Sequence, residues 1–292
     1  ENFYKVTVSI NIKSNIKILG ALSKPLIKNT STDTVNIFNI INVNNVVIEN
    51  LSIQNGIAQT DSHLGSYKNG IYIENSANIF ILNCYLTEIA GMSGVYVRKS
   101  KGLHVLDCTF YRMTYSGLLL LEETEDIFVE RTTFDTLTIN GQAYTIAAGS
   151  TNYTDNFLFK TRNLHIDRCR FLNNPLWEGI DSHGCVGFYC TNNYIQNVAT
   201  GIMCAFDNRP QSPFGHSDIY IENNVIIKGS STSDGDGIVV QGNDNGTGEL
   251  SDNIKIIGNK IIGTFGSFSS QYVAGIRLSN LRNFEVSGNY VD

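Results

Sequence analysis

Short runs of alternating apolar and polar residues recur along the whole chain, with no unit of helical periodicity between them. The runs share a nine-residue phrase: NVVIENLSI (45–53), NIFILNCYL (78–86), GLHVLDCTF (102–110), DIFVERTTF (126–134), NLHIDRCRF (163–171), GFYCTNNYI (187–195), DIYIENNVI (218–226), NIKIIGNKI (253–261) and NFEVSGNYV (283–291). Two residues before the last apolar position stand Leu51, Cys84, Cys108, Thr132, Cys169, Asn193, Asn224, Asn259 and Asn289. They are separated by 33, 24, 24, 37, 24, 31, 35 and 30 residues. Strand units repeating at that length predict an all-β chain wound into a parallel β-helix, a solenoid of about ten coils.

The same register accounts for the unusual residues inside it. Equivalent positions of successive coils sit about 4.8 Å apart, so like side chains form ladders. Asn193, Asn224, Asn259 and Asn289 are therefore expected as a buried stack joined by amide hydrogen bonds. A second phrase marks a bend in each coil: NGIYIEN (69–75), SGVYVRK (93–99), SGLLLLE (116–122), EGIDSHG (178–184), TGIMCAF (200–206), DGIVVQG (236–242) and AGIRLSN (274–280). Its Gly is read as the residue of a tight turn and the next residue as inward-facing. Two strands per coil are thus legible, and a third is only faintly marked.

Composition narrows this further. Only four Pro, 26 Gly and abundant Asn, Ile and Val leave no place for long helices. A solenoid grows in one dimension, so residues 1–292 are read as a single β-helix domain. The chain opens at Glu1 without Met and stops at Asp292 within a repeat, and it reads as a piece of a longer protein. A net charge of −6 without a basic stripe argues against nucleic-acid binding, and no apolar run is long enough for membrane insertion. Of the six Cys, Cys84, Cys108 and Cys169 fall on the interior ladder, Cys190 takes a strand position held elsewhere by Ile or Val, and Cys204 points inward. They are expected as small buried hydrophobes, with a Cys84–Cys108 bridge conceivable but not required.

Candidate chemistry shows as a departure from the repeat. The second residue after the turn Gly faces outward and reads Tyr72, Tyr96, Leu119, Asp181, Met203, Val239 and Arg277. The fourth reads Glu74, Arg98, Leu121, His183, Ala205, Gln241 and Ser279. Asp181 and His183 therefore share an outer face, about 6.6 Å apart along the strand, with Glu178 just before the turn. Trp177, the sole Trp, offers a flat apolar face to a sugar ring. A loop from Asp207 and Arg209 to His216 is expected to overhang this face, and an insertion over 140–161 brings Tyr144, Tyr153, Phe157 and Phe159. The expected catalytic residues are Asp181, Glu178, His183 and Asp207, and the expected substrate-binding residues are Trp177, Arg209, Tyr144 and Tyr153. The apolar column Leu119, Leu121, Met203, Ala205 and Val239 is expected to be exposed, as a subunit contact or a groove floor.

Elsewhere the plainer reading prevails. Glu74 and Arg98 form a surface ion pair, Tyr72 and Tyr96 stack, and His63, His104 and His165 pack or face solvent. The DGDG stretch at 234–237 is a turn rather than a Ca²⁺ loop. Glu122, Glu123 and Asp155 form a reserve site.

The repeat, with its Asn ladder and NGI or DGI turns, resembles the right-handed β-helix proteins of the pectin-lyase-like superfamily over essentially the whole chain. Asp181-Ser182-His183-Gly184 is similar to parts of the polygalacturonase-type pattern, whose Asp-Asp and Arg-Ile-Lys elements are missing here. By character the chain looks most like bacteriophage tailspike or preneck-appendage proteins. That resemblance implies an extracellular protein of a virion tail, commonly a homotrimer, that binds and degrades a host surface polysaccharide as a hydrolase or lyase. A phosphodiester polymer such as teichoic acid is the alternative substrate, with Glu178, Asp181 and His183 holding a divalent cation or doing acid–base work and Arg209 clamping charge. A non-catalytic receptor-binding or structural shaft is the other. No cofactor or resident metal is expected beyond that possible cation.

Overall fold

The computed structural model describes residues 3–30, 35–56, 68–136, 143–149, 161–205, 216–229, 235–242, 250–263 and 274–292. All regular elements among them are strands, every pairing is parallel, and each strand pairs with its equivalents in the neighbouring coils. One sheet holds ten strands, from Ile16–Leu19 to Leu281–Ser287, one per coil. The expected parallel β-helix of about ten coils is therefore what the chain forms.

Most coils have three strands, because the nine-residue phrase is not one strand but two; in two coils the second and third run together, as Arg170–His183 and Tyr194–Ala205. Ala77–Leu82 and Tyr85–Ile89, for example, are the halves of a single phrase, and Ser93–Arg98 is the third strand of that coil. The bend falls on the sixth phrase residue. Asn50, Asn83, Asp107, Arg131, Arg168, Asn192, Asn223, Gly258 and Gly288 all have φ between 48° and 66°. The first phrase residue is left-handed as well, from Asn45 (58°) through Gly102 (67°) and Asp126 (56°) to Asn283 (50°). Asn, Asp and Gly tolerate that region with the least strain, which explains their recurrence. Cross-coil bonds such as Asn78 Nδ2 to Asn45 Oδ1 (3.1 Å) hold the first column.

The Gly of the second phrase works differently from expectation. It is needed for closeness rather than for a special φ: a Cβ at Gly201 would lie 2.5 Å from the Gly237 carbonyl oxygen, and one at Gly117 would lie 2.5 Å from the Phe134 ring. These approaches let the phenyl rings of Phe110, Phe134 and Phe171 stack through the interior at centroid separations of 4.7 and 5.2 Å.

The seventh phrase residue forms the interior ladder. Asn193 donates to Asn224 Oδ1 (3.0 Å), Asn224 to Asn259 Oδ1 (2.9 Å) and Asn259 to Asn289 Oδ1 (2.9 Å). The oxygens of Asn224, Asn259 and Asn289 each also accept the backbone N–H of the residue below and so are doubly used, while the Asn193 oxygen accepts the Cys169 N–H; the first three amides are buried. All six cysteines are free and buried, and Cys84 and Cys108 remain unbridged.

On the ten-stranded sheet the outer column Phe80, His104, Phe128, His165, Tyr189 and Tyr220 stacks ring on ring at 4.3–5.1 Å. That gives His104 and His165 the packing role expected of them, while His63 lies outside the described residues. Tyr72 and Tyr96 stack at 5.2 Å. Arg98 reaches Glu74 at 3.5 Å and, more closely, the buried Glu122 at 2.7 Å.

Candidate functional site

The coil that carries EGIDSHG has an unusually long strand, Arg170–His183, whose register shifts between Asn174 and Glu178. Past the shift the residues alternate between the core and the outer face. Ile180 and Ser182 point into the core with no exposure, and Asp181 and His183 point outward. In the register, Asp181 stands beside Ala147 below and Met203 above, and His183 beside Ala205 above. The place below His183 belongs to Gly149, whose missing Cβ would sit 3.3 Å from the His183 Cβ. Large residues hold the same columns two coils earlier, at Leu119 and Leu121. The imidazole is thus flanked by small residues on both sides, and the carboxylate by Ala147 on one side and Met203 on the other.

Asp181 faces outward yet its side chain is only 5% exposed, whereas that of His183 is 40% exposed. His183 Nε2 stands 3.2 Å from Asp181 Oδ1 as an ion-pair contact, and this buried oxygen has no hydrogen-bond partner. Such an oxygen costs free energy unless a ligand or water satisfies it. Glu178, half-buried beside it, has its carboxyl pushed up to about 8, chiefly by burial and then by the negative charge of Asp181. The nearby His183 pulls it back in part.

Aromatic side chains wall the pair. Tyr115 and Tyr144 meet edge to face at 5.4 Å, and both phenols are held above their ordinary range by burial first and by the charges of Asp181 and Glu178 after it. Trp177 lies against Tyr144 and Glu178, with its buried Nε1 in hydrogen-bonding geometry with neither. Of the residues read from the sequence, the structure brings together Trp177, Glu178, Asp181, His183 and Tyr144. Tyr153, Asp207 and Arg209 lie outside the described residues, as do Phe157, Phe159 and Asp155. Tyr115 was missed, although it holds the place two residues before its turn Gly that Trp177 holds in its own coil.

Two expectations are corrected. The apolar outer column is buried, with Leu119 3%, Leu121 2% and Val239 1% exposed. Leu119, Leu121 and Ala147 form a second hydrophobic cluster, against which Met92, Tyr96, Tyr115 and Tyr144 pack. His216 does not overhang the site either. It fills an interior slot that Ser76, Ser100, Thr124, Thr161, Cys185 and Ser251 fill in other coils, where its Nδ1 accepts the Cys185 N–H at 3.1 Å and its Nε2 meets the Ala205 carbonyl. In the DGDG stretch, Asp236 is taken by Arg277 at 2.8 Å and by the Ala274 N–H at 2.6 Å.

Among the described residues, no three His, Cys, Asp or Glu side chains converge as metal ligands. A groove of about 370 Å³ lies elsewhere, at the turns lined by Asn75, Lys99, Lys101, Glu123 and Glu125. Its lysines are exposed and it has no aromatic wall, so the Asp181 cluster is the better candidate for chemistry.

A family model for the right-handed β-helix region matches residues 16–209. The chain belongs to that family. No curated protein matches this β-helix in sequence. Among solved structures it is similar to PfbA, a surface adhesin of Streptococcus pneumoniae, with a TM-score of 0.70 and 12% identity over 99% of this chain and 75% of that one. It is also similar to the catalytic domain of a GH87 α-1,3-glucanase in complex with nigerose (TM-score 0.53, 14% identity, 99% and 63% covered). A third similar structure is ORF18 of Geobacillus virus E2 (TM-score 0.53, 16% identity, 98% and 52% covered). At these identities the likeness is one of fold, and the β-helix spans about half the length of the phage protein.

Proposed function

We propose that this β-helix binds a cell-surface polysaccharide and cleaves its glycosidic bonds at the Asp181 cluster. The observation that carries the reading is a buried carboxylate with an unsatisfied oxygen beside a second carboxyl that holds its proton at neutral pH, both walled by Trp177, Tyr144 and Tyr115. Glycoside hydrolysis needs one carboxylic acid to protonate the leaving oxygen and one carboxylate to act as base or nucleophile. Glu178 supplies the proton, Asp181 supplies the carboxylate, and His183 orients Asp181 from the solvent side. Water adds across the bond, and each cleavage yields one new reducing end. Similarity to a glucanase domain and to a phage protein supports the reading at the level of fold. In its tailspike form the reading places the protein outside the cell, on a virion tail, as a homotrimer. The buried Leu119–Leu121 column is not free to make that contact, so a trimer would use another face.

A second reading, binding without cleavage, is favoured by the higher TM-score to the surface adhesin. One experiment separates the two. Purified protein is incubated with a panel of bacterial surface polysaccharides and pectic polymers, and products are assayed for reducing ends, unsaturated sugars and phosphomonoesters. Reducing ends without unsaturation indicate hydrolysis, and unsaturated ends indicate a lyase. The Asp181→Asn protein is expected to lose at least a hundredfold in rate with unchanged folding. Binding without any product supports the adhesin-type reading, and full activity of Asp181→Asn places the chemistry elsewhere.

A further inference from the structure

We infer that the glycan segment seated against Asp181 is uncharged, a run of neutral or N-acylated sugars rather than a uronate or phosphodiester polymer. The inference rests on the glycan reading above and concerns the charge of the face that carries the site.

That face is built from the third strand of each coil, and its described strands run from Phe38–Ile41 through Ile71–Glu74, Ser93–Arg98, Ser116–Leu121, Tyr144–Gly149, the end of Arg170–His183, the end of Tyr194–Ala205 and Ile238–Gln241 to Ile276–Ser279. Among their described residues only two carry a guanidinium or ammonium group, Arg98 and Arg277. Both are taken by buried carboxylates: Arg98 by Glu122 at 2.7 Å, with Glu74 also in reach, and Arg277 by Asp236 at 2.8 and 3.0 Å. Breaking either pair to receive a substrate anion would leave a buried carboxylate uncompensated, which is costly.

Between these two pairs the described face carries no Lys or Arg, and its one basic group, the His183 imidazole, lies against Asp181. Asp181 is flanked in register by Ala147, Met203 and Val239, and His183 by Ala205 and Gln241. A uronate or phosphate laid here would meet the Asp181 charge at close range in a partly desolvated site, where the one described group able to carry a positive charge, the His183 imidazole, already stands 3.2 Å from Asp181. What the site does offer suits hydroxyls and amides. The Trp177 Nε1–H, buried beside Glu178 and Tyr144, is a donor, the unsatisfied Asp181 oxygen is an acceptor, and the Tyr115, Tyr144 and Trp177 rings offer apolar faces.

The test uses the full chain carrying Glu178→Gln, which keeps the site uncharged at that position and slows cleavage so that binding can be measured. The probes are neutral hexose and N-acetylhexosamine oligosaccharides, oligogalacturonate and poly(glycerol phosphate), each titrated calorimetrically at low and high salt. Neutral oligosaccharides are expected to bind at least tenfold more tightly than either anionic polymer at low salt. Their affinity should be unaffected by salt, and the gap should narrow as screening rises. Met203→Lys, one coil above Asp181, is expected to raise affinity for the anionic probes selectively. Equal or tighter binding of oligogalacturonate or poly(glycerol phosphate) overturns the inference while leaving a polymer-binding site in place. Phosphomonoester release by the parent protein overturns it in favour of phosphodiester chemistry. Failure to bind any probe removes the glycan reading, and this inference with it.

Discussion

At the scale of single residues, the site depends on a charge held where the fold does not require one. The Asp181 column is filled by Leu119 and Ala147 below and by Met203 and Val239 above, so a carboxylate there serves no packing need. Glu178 carries the clearest consequence for pH. Its carboxyl titrates near 8 in the folded chain against an ordinary value of 4.5, so between these values the folded state binds the extra proton. The stability it contributes is full below about 4.5 and is lost as pH rises through 8, by up to about 1.4 kcal/mol per unit in that window. Denaturant titrations of Glu178→Gln are expected to lack this fall. Turnover of the parent should drop above pH 8 as the proton donor ionises, and a rate that holds flat to pH 9.5 would remove Glu178 from that role.

At the scale of the element, the coil is set by columns of backbone and side-chain hydrogen bonds. In the ladder the oxygens of Asn224, Asn259 and Asn289 accept from both a side-chain amide and a backbone N–H, and each Asn amide also donates to a carbonyl, as Asn224 does to Cys190 at 2.9 Å. Asn224→Leu would remove the acceptor of the Asn193 backbone N–H and of one side-chain amide N–H in a dry interior, leaving the amide its bond to the Ile166 carbonyl. We expect a loss of roughly 1–3 kcal/mol in unfolding free energy, measurable by urea titration. Asn224→Asp should retain the acceptor but add an unpaired buried charge, and is expected to cost more still. Thr132, Cys108 and Cys84 hold the same slot below without an amide. There the backbone N–H of Cys108 bonds the Thr132 hydroxyl at 3.3 Å, so an acceptor other than an Asn can serve in the slot.

For the whole molecule, the solenoid principle is that each coil touches only its neighbours. Tyr85 pairs with Thr109, Leu86 with Phe110 and Thr87 with Tyr111, a shift of 24 residues. Deleting residues 85–108 should therefore rejoin the chain in register. The shortened protein is expected to keep its β-strand circular dichroism and a cooperative, somewhat lower thermal transition. Deleting only 85–96 breaks the register and should abolish the transition. If both deletions behave alike, the coils are not the interchangeable units that the pairing describes.

Much of the architecture could be read from the sequence because a solenoid repeats its contacts. An apolar residue that faces inward in one coil does so in the next, and the Asn, Cys and Gly columns line up in the one-dimensional chain as they do in space. The family match and the ten-stranded sheet agree with that reading. The site was legible in part for the same reason, since Asp181, His183 and Glu178 stand out where the repeat wants something else. What the sequence left undecided depends on neighbours far apart in it. The division of the nine-residue phrase into two strands was faint because the boundary is a left-handed φ at residues as unlike as Asn83, Arg131 and Gly258, a backbone property that side-chain pattern records poorly. Burial of the Leu119 column, the interior placement of His216, and the approach of Tyr115 to Tyr144 all follow from packing between coils and around turns. So does the raised carboxyl of Glu178, because desolvation depends on what surrounds a group in three dimensions and not on its place in the repeat.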